Sequence, residues 1–196
     1  MPFDFFVDGT NGNNAWDGTA PAFVSGTVGP KQTLAAGFAL LSVGKTLGIR
    51  SGTYSSGFLG IPSGSDLGLN AVTVKNYNSE VVVFLQSSSI ASGAHHIIVD
   101  GIVFDANGQG NPPLKISGNA HHIRTINCEF KNGGTAGHGI HWPSDTYANE
   151  VINSEIHHNG TRVEYDHGIY IECNDALVDN CIFHDNTGWG INRYST

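Results

Sequence analysis

The sequence predicts an all-β chain wound as a right-handed parallel β-helix, a solenoid, and three observations carry that prediction. Phe104, Phe130, Ile156 and Phe183 recur at spacings of 26, 26 and 27 residues. A fixed period in the twenties marks a solenoid, in which each repeat buries its face only against its neighbours. Within a repeat, apolar residues fall two apart, as in "CEF", "SEI" and "CIF", which is strand spacing rather than helix spacing. Charged residues make up only 13% of the 196, whereas glycines number 26. That composition suits many short strands joined by turns.

Each element has its own signal. Leu34, Phe38 and Leu41 sit at i, i+4 and i+7 with Gly44 behind them, which predicts a short amphipathic helix capping the N-terminal end. Two positions before the phenylalanine column runs a second one, Ile102, Cys128, Ser154 and Cys181. Gly101, Asn127, Asn153 and Asn180 precede it and suit tight corners, because glycine and asparagine tolerate left-handed backbone. A further strand follows each loop, in "GHGIHW" (137–142), "DHGIYIE" (166–172) and "GWGINRY" (188–194), with Gly139, Gly168 and Gly190 in register. The intervening loops vary in length on a constant scaffold, which is where function sits.

Strands of this period with asparagine corners resemble the pectate-lyase-like superfamily of carbohydrate-active parallel β-helices, over most of the chain. On that resemblance "FFVDGTNGNNAWDGT" is the opening strand and loop, and "LGIRSGTY" (47–54) is the first full strand after the cap. The expected organisation is a single domain, 1–196. Residues 1–46 form the N-terminal strand, loop and cap helix, and 47–196 the coils. The resemblance implies action on a polysaccharide and an extracellular or periplasmic location, although no signal peptide is visible.

With the isoleucines of the later strands facing inward, His141, Tyr170 and Asn192 form one external line. His138, Asp145, Glu164, Asp166, His167, Glu172 and Trp189 flank it. Imidazole, phenol and carboxylate on one groove are what proton abstraction or glycosidic cleavage requires. His141, Asp166, His167 and Tyr170 are the expected catalytic group; His138, Glu164, Glu172, Trp189 and Asn192 are the expected sugar contacts. Gly137-His138-Gly139-Ile140 is similar to the Gly-His-Gly stretch of pectin-hydrolysing galacturonases, without their paired aspartates or Arg-x-Lys. Tyr165-Asp166-His167 resembles the Asp-Pro-His element of alginate epimerases, without its proline. A polysaccharide lyase or epimerase is the leading expectation. The alternatives are a hydrolase using two carboxylates and a non-catalytic glycan-binding or structural module. Calcium is the cofactor such chemistry could call on, to bridge an acidic face to an anionic sugar.

Seventeen acids against nine bases give a net charge of −8, which excludes a nucleic-acid partner wanting a basic face. The longest apolar run, Val81 to Leu85, is too short to span a bilayer. Two histidine doublets, His95–His96 and His121–His122, stand 26 residues apart. Neighbouring side chains on a strand point to opposite faces, so the doublets are expected to stack as ladders without holding a metal. Cys128 and Cys181 fall two rungs apart, about 9.6 Å and beyond disulfide reach, and are expected to be free thiols. "GWGINRYST" ends the sequence with no polar cap. The expectation is a fragment of a longer β-helix, or self-association through the face around Phe183, Trp189 and Ile191.

Overall fold

In the computed structural model, which describes residues 2–55, 58–116 and 118–194, the strands stack into three parallel sheets. The first sheet has seven strands: Phe5–Val7, Thr46–Ile49, Val72–Asn76, His95–Asp100, His121–Ile126, Glu150–Ile152 and Leu177–Asp179. The second has six, from Gly52–Ser55 through Val82–Leu85, Val103–Asp105, Glu129–Lys131 and Glu155–His157 to Ile182–His184. The third also has six, from Phe58–Leu59 through Ser88–Ile90, Leu114–Ile116, Ile140–Trp142 and Ile169–Ile171 to Ile191–Arg193. Each coil visits the three sheets in turn. The chain is therefore a right-handed parallel β-helix.

Inward side chains stack in columns because each strand pairs with the equivalent residues of the coil before it. The phenylalanine column extends further back than its repeat suggests, running Tyr54, Phe84, Phe104, Phe130, Ile156 and Phe183 in register. Phe104 and Phe130 stack 5.1 Å apart and nearly parallel. Cys128 and Cys173 are buried free thiols, and Cys181 is a half-buried one. Burial pushes the Cys128 thiol up to about 12, so it serves as apolar filling rather than as a nucleophile. Between the cysteines, the Ser154 hydroxyl accepts from the Cys128 N–H at 3.1 Å and donates to the Ile152 carbonyl at 2.8 Å.

Left-handed residues make the corners, several in each coil. Gly101, Asn127, Asn153 and Asn180 turn the chain from the first sheet into the second, with φ between 48° and 71°. Leu34–Phe38 forms a five-residue helix whose first turn is capped by the Thr33 hydroxyl accepting from the Ala36 N–H. Leu41 lies beyond the helix and is still buried. The segment 47–54 is not one strand but two, bent at Arg50 and Ser51. The Arg50 guanidinium holds that bend by pairing with Glu80 at 2.9 Å and donating to the Pro21 carbonyl at 2.8 Å. In the last coil Leu177, Ile182 and Ile191 are exposed, whereas Ile169, one rung before Ile191, is fully buried. Among the described residues no helix is long and apolar enough to cross a membrane.

Candidate functional site

The third sheet carries the candidate site on its outer face. Its last three strands are each three residues long and lie close together, because Gly139, Gly168 and Gly190 precede them. A Cβ on Gly168 would lie 2.4 Å from the Gly190 carbonyl oxygen, and one on Gly139 would lie 2.5 Å from that of Gly168. The isoleucine after each glycine points inward, so the next side chain points out. Lys115, His141, Tyr170 and Asn192 are consecutive partners in the ladder and form one line across four coils. Lys115 was not among the expected site residues. It stands 26 positions before His141, so carrying the same register back one coil finds it.

Around this line the aromatic rings form a continuous stack. His138 lies 4.8 Å from Tyr170 and 5.6 Å from His167, both near-parallel, and Trp189 stacks on the far side of His167 at 5.4 Å. Hydrogen bonds fix the proton positions. The His167 backbone N–H donates to His138 Nδ1 at 3.1 Å, and the Trp189 backbone N–H donates to His167 Nδ1 at 3.2 Å. Both rings accept at Nδ1, so both are neutral and carry their proton on Nε2. His167 Nε2 lies 2.7 Å from the Asn192 amide, which must therefore present its oxygen there. Burial, with His141 and His167 adding to it, lowers His138 to about 4; burial also lowers His167. Neither ring is charged at neutral pH.

His141 is placed differently. Its Nε2 lies 2.9 Å from Glu172 Oε2; a carboxylate only accepts, so Nε2 is the protonated nitrogen and Nδ1 holds the lone pair. Nδ1 has no hydrogen-bond partner among the described residues. Burial raises the Tyr170 phenol, and Glu172 and Tyr194 raise it further, so it stays a proton donor. An imidazole lone pair and a protonated phenol thus stand on adjacent rungs.

Asp166 lies beneath the outer face rather than on it. It is fully buried, and its carboxylate accepts from the Thr161 and Arg162 N–H groups at 2.9 Å each and from the Arg162 guanidinium at 2.7 Å. Burial opposes its charge, but the bonds from Arg162 and Thr161 outweigh that and hold it at about 2. Its lone pairs are spent on folding the 161–166 loop. Glu164, on that loop, is exposed and makes no hydrogen bond or ion pair with the described residues. Trp189 is 67% exposed while stacked on His167.

The histidine ladders stand at another corner. His95 stacks on His121 at 5.0 Å, His96 stacks on His122 at 4.7 Å, and Tyr147 continues the first stack at 4.5 Å. Strand alternation does not keep the members of a doublet apart. His96 and His122 are left-handed, with φ of 55° and 53°, and this swings neighbouring Nδ1 atoms to 2.9 and 2.7 Å of each other. A separate cleft of about 470 Å³ follows the asparagine corner, lined by Asn127, Cys128, Glu129, Asn153 and Glu155 among others.

By fold, the chain is a pectate-lyase-like parallel β-helix. Its architecture matches a rhamnogalacturonan lyase, with a TM-score of 0.69 and 12% identity over 98% of this chain and 54% of that one. It also matches the pectate lyase Pel9A, with a TM-score of 0.64 and 16% identity over 90% of this chain and 47% of that one. The chain thus spans about half the length of each of these two structures. No protein-family model and no curated protein matches the sequence.

Proposed function

We propose that the outer face of the third sheet binds an acidic polysaccharide and cleaves it by β-elimination. The observation that carries this reading is the pairing of an oriented base, His141 backed by Glu172, with a protonated phenol, Tyr170, on the next rung. His141 Nδ1 takes the proton next to the uronate carboxyl. The C–H electrons form the new C=C bond as the glycosidic C–O bond breaks, and Tyr170 gives its proton to the departing oxygen. Lys115, one rung before His141, neutralises the substrate carboxylate. An epimerase would share the first proton transfer and return a proton to the opposite face instead of breaking the C–O bond. The likeness of fold to two polysaccharide lyases supports the substrate class.

Digestion of a panel of uronate-containing glycans tests this. The expected product has unsaturated ends absorbing in the ultraviolet, and His141→Ala and Tyr170→Phe should each cut the rate by about a hundredfold or more. Lys115→Ala should raise KM more than it lowers kcat. Reducing ends without that absorbance would point instead to a hydrolase, a reading weakened by the engagement of Asp166 with Arg162. Binding without turnover would indicate a glycan-binding module, which the exposed Trp189 stacked on His167 favours as the second reading.

We further propose that the 196-residue chain on its own self-associates through its last coil. Ile182, Trp189 and Ile191 are 64%, 67% and 46% exposed there, and a second copy would cover them. Light scattering should show a dimer that Ile191→Lys weakens. A monomer at micromolar concentration, indifferent to that charge, would end this proposal.

A further inference from the structure

A third histidine doublet, His157–His158, lies at the corner after the second sheet, and the next coil places His184 and Asp185 against it. His158 and Asp185 are left-handed, with φ of 54° and 51°, so the corner brings neighbouring side chains together as it does for the ladders. His157 Nδ1 and His158 Nδ1 lie 2.6 Å apart. His157 and His184 stack at 4.8 Å, 5° from parallel.

What separates this corner from the other doublets is the carboxylates behind it. His157 Nε2 lies 3.0 Å from Glu129 Oε1, and His184 Nε2 lies 2.8 Å from Glu155 Oε1. Both Nε2 atoms donate, so each neutral ring keeps its lone pair on Nδ1. The same relation is repeated one coil on, since Glu129 pairs with Glu155 and His157 with His184, and both Nδ1 atoms therefore face the turn. A carboxylate behind one nitrogen and a lone pair presented at the other is how metal-ligating histidines are prepared. His184 Nδ1 also lies 2.7 Å from Asp185 Oδ2. Lone pair against carboxylate repels unless a cation joins them or the ring takes a second proton.

We propose that His157, His158 and His184, with Asp185 as fourth donor, bind a divalent transition-metal ion of the zinc type. One donor atom from each histidine lies within 4.8 Å of the others. Three imidazoles suit zinc, copper or nickel, whereas calcium takes six or more oxygen ligands. Tetrahedral zinc with bonds of about 2.0 Å holds its nitrogens about 3.3 Å apart. The His157–His158 pair must open by less than about 1 Å, and the exposed His158 and Asp185 side chains have room to turn. The ion would tie together the roots of two loops: 159–168, which carries His167, and 186–190, which carries Trp189.

Zinc titration by calorimetry on the tag-free chain, with thermal melts, tests the site. One ion per chain is expected, with Tm raised by about 5 °C when zinc is about 100-fold above its dissociation constant. His184→Ala and His158→Asn should each abolish the Tm shift, Asn being chosen because it tolerates left-handed backbone. Glu155→Gln should weaken binding by about tenfold, and His96→Asn should leave it unchanged. No uptake by the unaltered chain, or undiminished uptake by folded His184→Ala, would overturn the proposal.

Discussion

His138 shows how much a single residue can couple the candidate site to the fold. Its ring stacks against both His167 and Tyr170, with His141, Asp166 and Arg162 nearby, and burial first, then His141 and His167, lower it to about 4. An unfolded histidine titrates near 6.5. As pH falls below about 6.5 the unfolded chain takes up a proton that the folded chain refuses. Stability present above that pH is therefore lost down to about pH 4. Allowing for solvent around a partly exposed ring, the loss is about 2 kcal/mol. His96 and His121, lowered first by burial and then by neighbouring imidazoles, act in the same direction. Melting curves from pH 7 to 4 should show the decline, with His138→Gln flattening it most and His121→Asn less. Identical profiles in all three proteins would refute this account.

At the scale of the element, turns are held by buried asparagines as well as by exposed ones. Asn159 is fully buried. Its amide donates to the Phe130 carbonyl and to Asn186 Oδ1 at 3.0 Å each, and it accepts from the Gly133 N–H at 2.9 Å. Asn159→Ala would leave buried groups unpaired and should cost about 3 kcal/mol. Asn153→Gly, at an exposed left-handed corner, should cost less than about 1 kcal/mol. Urea midpoints would rank the two, and equal losses would show that the buried network adds nothing. This contrast also explains what the sequence could reveal. The columns at Phe104 and Ile140 were legible because parallel pairing stacks equivalent positions of successive coils, so the inward and outward positions recur in one register. His141, Tyr170 and Asn192 were legible for the same reason. Corner chemistry was hidden, because left-handed φ at His96 and His158 breaks the alternation on which strand reasoning depends. His157–His158 follows Ile156 directly, whereas the other doublets precede their phenylalanines by eight residues, so one alignment could not show all three. The Arg162–Asp166 spacing was visible, but the burial that makes Asp166 a loop anchor was not.

Over the whole molecule, the three sheets run the length of the stack, and every named strand pairs only with strands of adjacent coils. The backbone hydrogen bonds of the ladders therefore point along the solenoid axis. A force applied between the two ends would load the coils in series and open the weakest outer coil first, without shearing the whole molecule at once. Each coil holds about 26 residues, so each event should release about 90 Å of chain. Pulling in an optical trap should give a staircase of such steps, beginning at the coil where Ile182 and Ile191 are least covered. One rupture of full length would mean that the columns bind the coils into a single unit. In mechanical terms the molecule is a zipper laid on end, yielding a rung at a time.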